Sequence, residues 1–139
     1  MTFNYFIKAM LAGMAFPALA LPLIYTVLYF YSPALIQLHP LQFIPMYIPI
    51  LFGITNILYL KMGHHFFIKD ENAKLWLTGA CLGIIVAVFG VFILKLPALV
   101  FGLNEGFQYL PLLFLPVLYG ALFRYIVKFM NHALNVEAK

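Results

Sequence analysis

Charge is what this chain has least of. Only 9% of its 139 residues are Asp, Glu, Lys or Arg, against roughly 25% in a soluble domain, so water cannot be the solvent for most of its surface. Cysteine occurs once, at Cys81 within an apolar run, which excludes an intrachain disulfide and says nothing about redox compartment. There is no G-x-S-x-G elbow, no P-loop and no polar Ser, His and Asp set, so nucleophilic catalysis lacks its residues and no enzyme is expected. His64 and His65 precede Asp70 and Glu71, but adjacent helix residues point about 100° apart. No H-E-x-x-H completes a shell, and no metal is expected. His65 and His132 stand at the boundary of the apolar runs rather than inside them, the wrong depth for paired haem ligands, so no cofactor is expected either.

What the chain does have is hydrophobicity, with 65% apolar residues and a mean hydropathy of +1.02. Four apolar runs extend approximately over Ala9–Tyr31, Phe43–Leu60, Leu75–Leu94 and Tyr109–Val127. Each approaches the roughly 20 residues with which a helix crosses about 30 Å of hydrocarbon. The reading is an all-α membrane protein, a single integral membrane domain over 1–139 with four transmembrane helices. Beyond Pro33 and Pro97 the outer segments 33–42 and 97–107 stay apolar, either as helix extensions or as interfacial helices. Lys8 and Ala18-Leu19-Ala20 imitate a secretory signal, but the apolar run continues to Tyr31, so this segment is expected to be a retained anchor helix.

Orientation follows from the cations, because cytoplasmic loops keep their positive charge during insertion. Four crossings put Lys8, Lys61, Lys69, Lys74, Arg124, Lys128 and Lys139 on one side and Lys95 on the other. Both termini should therefore be cytoplasmic, and a bacterial inner membrane is the default location. The net charge of +4 reads as this bias and not as a nucleic-acid footprint, which needs cations clustered on a folded polar surface.

The sequence also repeats itself. Pro49 to His65 aligns without gaps on Pro116 to His132, and five of the 17 pairs are identical, including Pro, Gly, Lys and His. Earlier matches keep the order: Tyr5-Phe6-Ile7-Lys8 with Phe66-Phe67-Ile68-Lys69, and Leu11-Ala12-Gly13 with Leu77-Thr78-Gly79. Two parallel-duplicated helical hairpins, about 5–65 and 66–132, are expected, related by an axis along the membrane normal. Pro45, Pro49, Pro111 and Pro116 should kink the outer halves of the second and fourth helices.

Hydrophobic drive between helices is weak in lipid, so small residues that admit close backbone approach carry association. Gly79, Gly83, Ala87 and Gly90 form such a stripe on the third helix and should be a packing seam, within the chain or between copies. Polar candidates are few. Thr55 and Asn56 on the second helix and Arg124 on the fourth need partners in hydrocarbon. Asn56 reads first as interhelical glue and Arg124 as an anchor that snorkels to the headgroups. Lys95 and Glu105 can pair on the outer side, where Gln42 and Gln108 hold equivalent positions, and an exposed ion pair with two interfacial amides is expected there ahead of a substrate vestibule.

No constellation specifies a reaction or a ligand. The leading expectation is a small multi-pass protein that works by interaction, as an accessory or oligomerising subunit whose partners are the lipid bilayer and a second copy or another membrane protein. The competing reading is a small transporter or channel with a polar path between the hairpins through Asn56 and Arg124.

Overall fold

The computed structural model describes residues 2–31, 40–65, 67–95, 104 and 106–136, and every regular element among them is helical. Helix α1 covers Phe3–Tyr31 and winds through Pro17 and Pro22. It begins six residues before the expected start, because Phe3, Tyr5 and Phe6 continue the apolar run. Helix α2, Ile48–Met62, is entered through a 3-10 segment, Pro40–Tyr47. Helix α3 is Glu71–Val88 and ends in a π turn, Phe89–Ile93. A short 3-10 turn, Phe107–Tyr109, leads into α4, Leu110–Leu122, then a π turn, Phe123–Val127, and α5, Lys128–Ala133.

Three of the four prolines expected to kink the second and fourth helices stand at or before a helix start. Pro45 lies in the 3-10 segment, and Pro49 and Pro111 occupy the first turns of α2 and α4, where the missing N–H has no helical acceptor to lose. Of these four, Pro116 alone sits inside an α-helix. The expectations for 33–42 and 97–107 fall largely outside the described residues.

Helix ends follow side-chain chemistry. Asp70 caps α3, its carboxylate accepting from the backbone N–H of Asn72 at 3.3 Å and of Ala73 at 3.0 Å, as an N-cap carboxylate does. After α5, Asn135 turns left-handed at φ 52, a conformation asparagine tolerates. Its N–H then bonds the His132 carbonyl at 3.1 Å and Val136 N–H bonds the Asn131 carbonyl at 2.8 Å. That pair of bonds is a Schellman closure, and it delivers Val136 fully buried into the core.

Four stretches are long and apolar enough to cross a membrane: Phe3–Val27, Ile44–Met62, Glu71–Ile93 and Phe107–Ala133. The chain thus has the makeup of an integral membrane protein. The most extensive contacts run between α1 and α2 and between α3 and α4, giving two hairpins. Each hairpin closes on glycine: a Cβ at Gly13 would lie 2.6 Å from the Phe52 carbonyl oxygen, and one at Gly83 would lie 2.6 Å from that of Leu115. Gly79 meets the Tyr119 carbonyl more closely still, Gly53 lies under Met10, and Gly120 lies under the Trp76 indole.

The hairpins join chiefly at the end that carries Lys8, Lys61, Lys74 and Lys128, where α1 meets Phe123–Val127 and α5, and α2 meets α3. Phe52 fills the centre, its ring 4.8 Å from Tyr119 and 5.1 Å from Phe123 between centroids. All three are buried. The core sits towards the lysine end. From Ala18 to Phe30 no described side chain of α1 is buried.

Candidate functional site

The polar chemistry of the interior collects at the lysine-rich end. Asn56, fully buried on α2, donates one amide hydrogen to the Ala9 carbonyl of α1 at 2.8 Å and the other to Asn131 Oδ1 at 2.8 Å. Asn131 Nδ2 donates back to Asn56 Oδ1 at 2.9 Å. An amide offers two N–H donors and a carbonyl oxygen with two lone pairs, so both Asn56 donors are used and its oxygen is partnered, and three segments remote in sequence are tied at one point. Among the described residues no buried side-chain nitrogen or oxygen lacks a partner.

The last span positions this pair. Phe123 and Val127 bound the π turn, and with Asn131 four residues further on they form one inward stripe, all buried. One turn outward, Lys128 Nζ donates to Asn72 Oδ1 at 2.8 Å and pairs with Glu71 Oε2 at 3.3 Å. The pair is open to solvent, with the side chains 40% and 62% exposed. Between these groups lies a cavity of about 410 Å³ walled by Tyr59, Glu71, Lys128, Asn131, His132 and Val136, among others.

On the other side of Tyr59 an apolar groove of about 480 Å³ runs between α2 and α3, bordered by Thr55, Leu58, Thr78, Cys81 and Ile85. Thr55 faces this groove and not the amide pair, since adjacent helix positions diverge. Arg124 is exposed, its guanidinium carbon 5.2 Å from the Tyr125 ring centroid, a cation–π distance. It does not share a site with Asn56. Lys95 is exposed just past the π turn of α3, with φ 50, while Glu105 lies outside the described residues, and so does their expected pairing. Gln108 is partly buried in the turn before α4. Gln42 belongs to the 3-10 segment before α2.

The glycine stripe is used inside the chain. Gly79, Gly83 and Ala87 are buried and Gly90 is partly so, with Gly79 and Gly83 seated on α4. Sequence reasoning missed Asn131, Glu71 and Asn72 as members of the polar end. Asn131 stands beside Lys128 and His132 and looks like a headgroup residue. Its one signal was an amide four residues past the end of the last apolar run, at helical spacing from Val127. Among the described residues no three His, Cys, Asp or Glu side chains gather. Compared with protein-family models, curated proteins and solved structures, the chain matches none.

Proposed function

We propose that this chain is an interaction subunit of a membrane assembly, using the outer half of α1 as its contact with a second copy or another membrane protein. One observation carries the reading: between Ala18 and Phe30 no described side chain is buried, although the same helix is buried at Ala9, Ala12, Gly13 and Pro17. Leu19, Leu23 and Phe30 are 71%, 66% and 77% exposed. Ala20, Leu21 and Tyr25 are partly buried there, and the remaining exposed apolar surface of this half is offered to a neighbour. The glycine stripe is spent within the second hairpin, so an oligomer contact has to lie elsewhere, and α1 supplies it.

The duplicated-hairpin plan, with repeats at about 5–65 and 66–132, belongs to the same reading. Contacts support it. Gly13 on Phe52 and Gly79 on Tyr119, like Gly53 under Met10 and Gly120 under Trp76, are the same pairings shifted by 66 or 67 positions. With that shift Lys8 corresponds to Lys74, in place of the Lys69 that local sequence similarity selects. Orientation with both termini cytoplasmic, in a bacterial inner membrane, rests on the lysine bias. The transport alternative is disfavoured by packing: a path along the bundle meets Phe52, Tyr119 and Phe123, and the amides beyond them are bonded to each other.

The test is disulfide or bifunctional thiol cross-linking in native membranes with Leu19→Cys, Leu23→Cys or Ile54→Cys in a Cys81→Ala background. The α1 positions should give one adduct of fixed mass, and Ile54→Cys should give none. Equal adduct formation at all three, or no adduct at any, sinks the reading.

A further inference from the structure

We infer that the polar cavity at the lysine-rich end binds a phosphoethanolamine headgroup, with one acyl chain of the same lipid lying in the groove between α2 and α3. This stands independently of the interaction reading, because it uses a different face of the molecule.

The position is right for a headgroup. Tyr59 lies near the end of the second span, Glu71 opens the third, and Lys128 and His132 fall near the end of the fourth. The cavity thus opens where hydrocarbon gives way to water. Its volume of about 410 Å³ falls in the roughly 300–1,000 Å³ range of small-molecule sites.

Its charge pattern selects the ligand class. Lys128 brings one positive charge and Glu71 one negative charge, side by side at 3.3 Å, so the lining is balanced and not basic. A purely anionic group is drawn by the lysine and repelled by the glutamate, whereas a zwitterion satisfies both. The phosphate takes Lys128 and the imidazole of His132, and the ammonium donates to the Glu71 carboxylate. Opening the ion pair costs little, since one this exposed contributes only about 0–1 kcal/mol, charge-assisted bonds replace it, and the three donors of the Lys128 ammonium let it keep its bond to Asn72. Choline cannot make the second contact because its quaternary nitrogen has no hydrogen to donate.

Two neighbours make the site a lipid site. Tyr59 borders both the cavity and the apolar groove of about 480 Å³, so a single side chain stands between the place of the headgroup and that of the acyl chain. Buried Val136, held by the Schellman closure, floors the cavity with an apolar side chain.

Native mass spectrometry of the full chain in detergent, offered equimolar phosphatidylethanolamine, phosphatidylcholine and phosphatidylglycerol, tests this. Phosphatidylethanolamine should be retained roughly tenfold over either competitor, a difference equivalent to about 1.4 kcal/mol. Glu71→Gln should lower it to parity with phosphatidylcholine, and Lys128→Gln should strip all three. Equal retention of the three lipids by the unaltered chain overturns the inference whatever the variants do. Selectivity unchanged in Glu71→Gln also overturns it. Free phosphoethanolamine distinguishes the sources: failure to displace the lipid supports a membrane ligand, and full displacement supports the same headgroup chemistry with a soluble ligand.

Discussion

Phe52 and Tyr119 meet edge to face at the centre of the molecule, ring centroids 4.8 Å apart and planes inclined by 67°. Each belongs to the helix that completes its own hairpin, and each lends its backbone carbonyl to a glycine of the preceding helix. One contact therefore couples the hairpins while the same residues close them.

Phe52→Ala should be the most damaging single truncation in the core. Loss of a buried phenyl ring costs about 3–5 kcal/mol, and the edge-to-face pairing adds about 0.5–1.5 kcal/mol. Thermal unfolding in detergent should show a large drop for Phe52→Ala and a small one for Leu113→Ala, which is 76% exposed. Comparable drops would mean that the rings do not bridge the hairpins.

Asn56 and Asn131 should behave as a coupled pair. Asn131→Leu leaves buried amide groups of Asn56 unpaired, at a cost of roughly 1–3 kcal/mol, and Asn56→Leu strands Asn131 in the same way. The double variant removes both needs, so its loss should fall clearly below the sum of the single losses. A thermodynamic cycle measured by unfolding checks this; strict additivity would deny the reciprocal bond.

How much of this was legible in the sequence depends on the kind of signal. The four apolar stretches were readable because a helix in lipid must be apolar throughout its crossing, and Asn56 was readable as glue because a lone amide in that setting needs a partner. The partner was not. Asn131 lies past the last apolar run beside Lys128 and His132, and its inward direction shows only once Phe123 and Val127 are seen buried at the same four-residue spacing. Nor did the prolines reveal their role: Pro49 and Pro116 align as a pair, yet one opens α2 and the other lies within α4, since where a helix begins depends on the chain before it.

Gly83→Leu should disrupt the second hairpin. The added side chain would start 2.6 Å from the Leu115 carbonyl oxygen, and overpacking of this kind costs about 1–3 kcal/mol or more. Because the obstacle is backbone, Gly83→Ala should already lower the unfolding temperature. Ile84→Ala, one position along and half exposed, serves as the control and should change little. A fully tolerated Gly83→Leu would refute the seam.

Sidedness can be measured with engineered thiols. In a Cys81→Ala background, Asn104→Cys should react with a membrane-impermeant maleimide in intact cells, and Lys69→Cys only after permeabilisation. Both positions are exposed, so access to reagent and not burial decides the outcome. The opposite pattern would invert the orientation derived from the lysines.

The glycine contacts between consecutive helices bear on how the chain is made. Because Gly13 seats on Phe52 and Gly53 lies under Met10, the seam of the first hairpin is made entirely of residues that precede the second hairpin in synthesis. Synthesis runs from the N-terminus, and the second hairpin then arrives at a partner whose main surface is already sealed. What remains for the last step is a docking at the lysine end, completed when Asn131 reaches Asn56.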